Sequence, residues 1–326
     1  MSTTERVSTS STGLISEAFG DEEGAAGQEH LVRPVPKELV HCWNARHVLP
    51  TAASREGDHL FSVAVRWPHS HQLYGPGTAA WCDPQLVGET LRQSGILLAH
   101  VGYGLPLGHQ LLLQRMTYEV DELALLPVVG GTRLTLRASF HDVVQRGGVL
   151  RSASVTVTLH RGGVQVGTGA FDMQCVPPTV YARLRAAARK SDSPSLPVLP
   201  AAVPPAAVGR VQARDVMLAP GAPHTWVLRV ERDHPVVYDH PLDHVSGMAL
   251  MEAMCQAARL AVAMPSAAVP AMDATFVGYV EHDEPCLVTV GDAERIDADG
   301  FVVPVRVYQR GHEAARCRFS LRGPAA

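Results

Sequence analysis

Residues 84–98 read PQLVGETLRQSGILL, and residues 247–263 read GMALMEAMCQAARLAVA. Both stretches are apolar around most of a helical circumference, which predicts helices wrapped by sheet rather than helices lying on a surface. Each stretch carries one acidic residue, followed four residues later by a glutamine: Glu89 with Gln93, and Glu252 with Gln256. The shared pattern indicates that the two helices are copies of one another.

The match between the two halves extends beyond the helices without a gap in the alignment. When Glu89 is placed on Glu252, His71 falls on His234, and the alternating stretch 61–67 falls on 224–230. Self-similarity of this kind indicates two copies of one structural unit. A chain of 326 residues is also long enough for two domains.

Alternating strands and hairpin turns follow each predicted helix. One buried helix followed by an antiparallel meander is the hotdog arrangement, so we expect an α+β double hotdog. The predicted strands are 61–67, 134–140, 149–159, 287–290, 301–308 and 314–321. The expected boundaries are a disordered tail over 1–35, a first repeat over 36–175, a linker over 176–206 and a second repeat over 207–326.

The amino-acid composition of the chain argues against some classes of binding partner. A net charge of −4 and a pI near 6.5 give no general attraction to nucleic acid or to anionic lipid. The six cysteines are scattered, which predicts neither a zinc site nor a disulfide framework. The stretch from Met1 to His30 lacks the apolar core of a signal peptide. We therefore expect a cytoplasmic protein with no cofactor and no metal.

Glu89 and Glu252 are the predicted catalytic residues. A carboxylate in an apolar helix loses hydration, which favours uptake of a proton and suits general acid–base chemistry. Gln93 and Gln256 lie one turn later on the same face, where they can orient the carboxyl group. The alternative is a solvated glutamate that is favoured by the helix dipole.

Further residues are predicted to bind substrate. Arg92 can meet a phosphate, although a surface arginine is the alternative. The second repeat has Cys255 at that position, which favours the first repeat as the catalytic one. His71 and His234 lie in strand-to-helix loops, where they can orient substrate or protonate a leaving thiol. Tyr74 is expected in the same cleft.

His240 and His244 invite comparison with a metal-binding pair, since histidines four residues apart on a helix can share an ion. Pro241 lies between them in a predicted loop, so helical geometry is not expected there. We predict no metal site.

Several segments resemble the A-factor biosynthesis (AfsA) family. In the first repeat they are WPHSH over 67–71, CDPQLVGETLRQSGILLAH over 82–100 and GYGLPLG over 102–108. In the second repeat they are RDHP over 232–235 and DHPLDHVSGM over 239–248, ending in Glu252 and Gln256. The resemblance covers about residues 36 to 321.

The resemblance implies transfer of a β-ketoacyl group to the hydroxyl of dihydroxyacetone phosphate, toward γ-butyrolactone signalling molecules. The donor would be a thioester of acyl carrier protein or coenzyme A. The two repeats would pair as an intramolecular pseudo-dimer, with neither nucleic acid nor membrane as a partner.

Two alternatives stay open, because a fold does not decide a function. One is a hydrolase or hydratase of acyl thioesters, since the second helix is also similar to that of hydroxyacyl-carrier-protein dehydratases. Tyr238 stands where those enzymes have their histidine, which argues against their usual chemistry. The other alternative is a non-catalytic module that binds an acyl chain or a lactone.

Overall fold

The computed structural model describes residues 35–74, 81–128, 130–186 and 198–323. The predicted tail over 1–35 lies outside these ranges except for Val35, and residues 187–197 of the predicted linker also lie outside them. The predicted boundaries between repeats and linker stay a prediction.

Each repeat contains one long buried helix. The helix α1 begins at Gln85, whose N–H donates to Oδ1 of Asp83 at 2.9 Å, and it is followed by Gly104, where φ is +61°. The helix α4 begins after Ser246, whose hydroxyl accepts the N–H of Ala249 at 3.1 Å. The helices are α1 (Gln85–Tyr103), α2 (Glu122–Leu125), α3 (Pro178–Ala186) and α4 (Gly247–Ala261).

Both repeats contribute strands to the described residues. Those of the first repeat are β1 (Pro50–Gly57), β2 (Leu60–Trp67), β3 (Gln110–Val120), β4 (Thr132–Arg146), β5 (Val149–Arg161) and β6 (Val164–Val176). Those of the second are β7 (Leu218–Ala219), β8 (Thr225–Leu228), β9 (Ala268–Phe276), β10 (Cys286–Val290), β11 (Glu294–Arg295), β12 (Gly300–Gln309) and β13 (His312–Arg322).

These strands form one antiparallel sheet that runs through both repeats. Its order is β1-β2-β4-β5-β6-β3-β9-β13-β12-β10-β8-β7, with β11 beside β12. The repeats join where β3 pairs with β9, from Arg115 opposite Thr275 to Glu119 opposite Ala271. The predicted hairpin between β4 and β5 is present, with positive φ at Gly147 and Gly148 as a tight turn requires.

Both long helices lie in the core. The helix α1 contacts β1, β2, β3, β5 and β6, while α4 contacts β7, β10, β12 and β13. The two helices also contact each other, and Met251 of α4 approaches α1 at Gly88. The predicted double hotdog is confirmed, with each helix buried against the strands of its own repeat. Among the described residues, no helix combines the length and apolar character needed to cross a bilayer.

Candidate active site

Glu89 lies in the second turn of α1 and accepts three hydrogen bonds. Nε of Arg92 donates to Oε2 at 2.9 Å, and Nη2 donates to Oε1 at 2.6 Å. Nε2 of Gln93 donates to Oε1 at 2.7 Å. The side chains of Glu89 and Arg92 are 12% and 25% exposed, so the ion pair is largely but not fully withdrawn from water.

Gln93 connects this ion pair to the segment that precedes β1. Its Oε1 accepts the N–H of Leu49 at 2.8 Å, and its Nε2 donates to the carbonyl of His47 at 2.8 Å. Gln93 itself is fully buried, so these bonds satisfy an amide that has no access to water. The glutamine thus links Glu89 to the backbone before β1.

The second repeat reproduces this arrangement almost atom for atom. Nε2 of Gln256 donates to Oε1 of Glu252 at 2.5 Å and to the carbonyl of Asp215 at 2.8 Å. Its Oε1 accepts the N–H of Met217 at 2.8 Å. Asp215 and Met217 are therefore the structural equivalents of His47 and Leu49 in the first repeat.

The surroundings of Glu252 differ from those of Glu89. Nε and Nη2 of Arg210 donate to the two oxygens of Glu252 at 2.8 and 2.7 Å. Nη1 of Arg210 also donates to Oδ2 of Asp83 at 2.6 Å, across the boundary between the repeats. Glu252 has no exposed surface, and Arg210 and Asp83 are buried with it. In the second repeat, the guanidinium of Arg210 therefore lies between two carboxylates and fills the space that corresponds to the site beside Glu89.

The positions of an arginine and a cysteine are swapped between the two repeats. Cys255 takes the helical position of Arg92. Arg210 takes the position of Cys42, because it precedes Met217 by the same number of residues as Cys42 precedes Leu49. The sulfur of Cys42 lies 3.9 Å from Nη2 of Arg92. Although the second helix has Cys255 in place of an arginine, a guanidinium thus reaches Glu252 from the segment before β7.

A cavity of about 380 Å³ lies between the repeats, next to Glu89. Its polar and titratable lining residues include His41, Cys42, His47, His71, Tyr74, Glu89, Arg92, Asp239, His240 and His244. Its apolar wall includes Ile96, Leu111, Leu113, Phe171, Met173, Val236, Leu242, Val245 and Phe276. Ser246, Gly247 and Met248, at the start of α4, complete the lining. Both repeats therefore contribute to a single cavity.

Four predicted site residues line this cavity together: His71, Tyr74, Glu89 and Arg92. Gln93 lies behind them, where it contacts Glu89. The predicted residues of the second repeat, Glu252, Gln256 and His234, are not part of the wall. His234 is buried, and its Nε2 lies 3.1 Å from Oδ1 of Asp215. A smaller cavity of about 280 Å³, lined in part by Asp83 and Arg210, lies on the equivalent side of the second repeat.

Several histidines of the cavity are held in the neutral form. Burial, with a contribution from His47, lowers the pKa of His71 from 6.5 to about 4. Burial, His100 and Arg92 lower the pKa of His41 to about 3, and burial also lowers the pKa of His47. These imidazoles can exchange hydrogen bonds with a ligand at neutral pH, but they carry no positive charge there.

The two histidines considered as a metal pair each contact the aspartate that precedes them. Nδ1 of His240 lies 2.5 Å from Oδ1 of Asp239, and Nδ1 of His244 lies 2.8 Å from Oδ1 of Asp243. Neither pair belongs to a cluster of three or more metal-binding side chains in the described part of the chain. The sequence places Asp239 and Asp243 beside these histidines as possible metal ligands, whereas in the structure each carboxylate contacts the imidazole that follows it.

Comparison with known proteins finds a matching family model and relatives that carry the name of an enzyme. The family model described as the A-factor biosynthesis hotdog domain matches residues 25–177 and 191–320. The chain is 34% identical over 296 residues to 2-oxo-3-(phosphooxy)propyl 3-oxoalkanoate synthase of Streptomyces virginiae, a match that covers 90% of this chain and all of the relative. It is 36% identical over 309 residues to the synthase of the same name from Streptomyces griseus, covering 92% of this chain and 98% of the relative.

A solved structure supports the fold. A Lactobacillus plantarum protein, provisionally described as an oleoyl thioesterase, superposes with a TM-score of 0.52 at 11% sequence identity. The match covers 83% of this chain and 99% of that protein. At this level of identity the likeness concerns the fold alone.

Proposed function

The chain belongs to the A-factor biosynthesis (AfsA) hotdog domain family, and we propose that it is an acyltransferase. It moves a β-ketoacyl group from a thioester of acyl carrier protein or coenzyme A to the hydroxyl of dihydroxyacetone phosphate or a similar acceptor. The product leads to γ-butyrolactone-type signalling molecules. The observation that carries the proposal is the cavity between the repeats, in which a long apolar wall meets the ion pair of Glu89 and Arg92.

The apolar wall suits the acyl chain. The first repeat contributes Ile96 and Phe171, and the second contributes Leu242 and Phe276. A volume of about 380 Å³ lies within the range of pockets that enclose small ligands. Burial of each methylene of the acyl chain would contribute about 0.8 kcal/mol to binding.

The guanidinium of Arg92 suits the phosphate of the acceptor. Its Nε and Nη2 donate to Glu89, and we assign Nη1 to a ligand oxygen in the cavity that Arg92 lines. Glu89, itself held by Gln93, fixes the plane of this guanidinium, and a fixed guanidinium binds a phosphate with little loss of side-chain freedom. We therefore place Glu89 in the catalytic site and assign Arg92 to the phosphate.

The start of α4 suits the thioester carbonyl. Gly247 and Met248 lie in the cavity wall, and the N–H groups of a first helical turn have no acceptor within the helix. Such N–H groups stabilise the oxyanion that forms when a hydroxyl attacks a thioester. The second repeat thus supplies the oxyanion site, and the first repeat supplies the phosphate site.

The two repeats act in this proposal as an intramolecular pseudo-dimer with one working site. The equivalent site around Glu252 holds Arg210 and Asp83 where a ligand would have to enter. We assign Glu252, Arg210 and Asp83 a structural role, in which their ion pairs hold the two repeats together.

The mass of the product tests the reaction class. Purified protein is incubated with a β-ketoacyl thioester and a panel of hydroxylated acceptors that includes dihydroxyacetone phosphate. The expected product with that acceptor is a phosphorylated β-ketoacyl ester with release of free thiol. Free β-keto acid as the sole product would show a hydrolase instead, and tight thioester binding without turnover would show a binding module.

A further inference from the structure

We propose that His240, oriented by Asp239, is the base that removes the proton from the acceptor hydroxyl. The inference rests on the proposed acyl transfer and adds a catalytic residue to that same cavity. Both residues lie in the cavity wall on the loop before α4.

The geometry of the pair fixes the imidazole. Oδ1 of Asp239 lies 2.5 Å from Nδ1 of His240, and Oδ2 of Asp239 accepts the backbone N–H of Trp43 at 2.8 Å. Trp43 belongs to the first repeat, so the pair is held across the boundary between the repeats. The side chain of Asp239 is 9% exposed and that of His240 is 29% exposed. The carboxylate is thus buried behind an imidazole that reaches the cavity.

This contact determines which nitrogen can act. A carboxylate at Nδ1 holds a proton on that nitrogen, which leaves the lone pair of a neutral imidazole on Nε2. Burial by itself would raise the pKa of Asp239, but hydrogen bonds from His240 and Trp43 outweigh it and lower the pKa. Asp239 therefore stays ionised and stabilises the imidazolium that forms when Nε2 takes a proton.

The other basic groups of the cavity are less suited to this step. Both oxygens of Glu89 already accept N–H groups from Arg92 and Gln93, and protonation would disrupt those contacts. His41 and His71 have pKa values lowered to about 3 and about 4, mainly by burial, so they are weak bases.

His244 also contacts a carboxylate, but that carboxylate is shared. Asp243 accepts the hydroxyl of Tyr181 at 2.7 Å and Nε of Arg185 at 3.2 Å. Arg185 neutralises much of the charge that would stabilise a protonated His244, and burial lowers the pKa of His244. Asp239, by contrast, hydrogen-bonds to an uncharged backbone amide and to His240, and Arg92 acts on it only as a nearby charge.

The step balances without any further reactant. Nε2 of His240 takes the hydroxyl proton as the acceptor oxygen forms a bond to the thioester carbonyl carbon. The tetrahedral intermediate then breaks its C–S bond, and the leaving thiolate takes the proton back from Nε2. One ester and one thiol result, and His240 returns to its neutral form.

Replacement and chemical rescue test the assignment. His240→Ala should lower kcat for ester formation at least about 100-fold, which is typical for loss of a general base. Added imidazole should restore part of that rate, because a free base can enter the space left by the side chain. Asp239→Asn, which removes the orienting charge, should lower kcat about 10-fold with little change in the KM for the thioester. His312→Ala, on the exposed surface of β13, is the matched control and should keep the rate of the unchanged protein.

Several outcomes would overturn the inference. One is that His240→Ala forms ester as fast as the unchanged protein. Another is that His240→Ala forms ester more slowly and added imidazole does not restore the rate. Should His240→Ala fail to fold by circular dichroism, His240→Gln keeps a similar volume, and full activity in that variant would overturn the inference equally. If the unchanged protein itself forms no ester, the proposed function fails and this inference with it. If it forms ester and His240→Ala does so equally fast, only the base assignment fails.

Discussion

The two equivalent glutamates, Glu89 and Glu252, lie in different environments. Glu89 shares a partly exposed ion pair with Arg92 at the wall of a cavity. Glu252 is fully buried against Arg210, which also contacts Asp83. A partly exposed ion pair contributes little to stability, whereas removal of one partner from a buried pair leaves an uncompensated charge. We therefore assign the first glutamate to the site, where it holds Arg92, and the second to stabilising the contact between the repeats.

Replacement of Glu252 should show this difference in stability. Glu252→Gln weakens the two charge-assisted hydrogen bonds from Arg210, which keeps its contact with Asp83, so the free energy of unfolding should fall by about 2 kcal/mol. Glu89→Gln, the matched control, should lower it by about 1 kcal/mol or less. Urea unfolding followed by circular dichroism measures both. Equal losses in the two variants would contradict the structural role of Glu252.

His71 gives a pH dependence with a defined sign. Its pKa is about 4 in the folded chain, because of burial, and returns to 6.5 on unfolding. As the pH falls from 6.5 to about 4, the unfolded chain binds more protons than the folded one, so the free energy of unfolding decreases. This group contributes a slope of up to about 1.4 kcal/mol per pH unit. Urea unfolding at several pH values should show a flatter slope for His71→Gln, and an unchanged slope would refute this origin.

The sequence predicts the paired glutamates and glutamines correctly, but it hides their cation in the second repeat. The first repeat is longer than the second between Leu49 and His71, so the alignment that places His71 on His234 does not place Cys42 on Arg210. Arg210 also follows a stretch rich in proline and alanine that resembles a linker. The local pattern therefore carries no sign that this arginine is buried.

At the scale of the element, the helix α1 is longer than predicted. The prediction stops at residue 98, whereas α1 continues to Tyr103. Gly102 usually disfavours a helix, but here a Cβ at that position would lie 2.8 Å from the ring of Phe61. The strand β2 packs closely against the helix at this point, and a single sequence does not reveal that contact.

The strands β3 and β9, which join the repeats, were not predicted. The first has three consecutive leucines, Leu111–Leu113, in place of alternation. The second contains Pro270 and several small residues, which do not alternate with apolar ones. Their pairing depends on contact between the repeats, and hydrophobic periodicity within one strand does not report such contact.

Gly95 gives a test at this scale. A Cβ there would lie 2.7 Å from Cε2 of Phe171, in the wall of the cavity. Gly95→Ala should lower the free energy of unfolding by about 1 kcal/mol, since overpacking outweighs the gain in helix propensity. It should also reduce turnover of long-chain thioesters more than that of short ones.

Gly88→Ala is the matched control, because the one close approach of its Cβ would be to the flexible end of Met251, at 2.8 Å, while Sδ of Met116 would lie at an ordinary 3.6 Å. This variant should be as stable as the unchanged protein or slightly more stable in urea unfolding. Gly95→Ala with the same stability and chain-length preference as Gly88→Ala would contradict the packing described for Phe171.

At the scale of the whole molecule, the site exists only because the two repeats meet. The first repeat contributes Glu89 and Arg92, while the second contributes Asp239, His240 and the start of α4. Sequence comparison predicts the duplication, but it does not show which surfaces of the repeats face each other. The two copies of the site differ: Cys255 stands in place of Arg92 and Arg210 in place of Cys42, and the second copy is a buried ion-pair cluster.

The initial rate of ester formation in Glu89→Gln and Glu252→Gln tests the central claim most directly, at a temperature where circular dichroism shows both variants to be folded. Glu89→Gln should lose at least about 10-fold in rate, because Arg92 loses the partner that fixes it beside the acceptor phosphate. Glu252→Gln should retain the rate of the unchanged protein within about two-fold per folded molecule. A folded Glu252→Gln variant without activity, alongside a fully active Glu89→Gln variant, would place the chemistry in the other repeat and contradict the account.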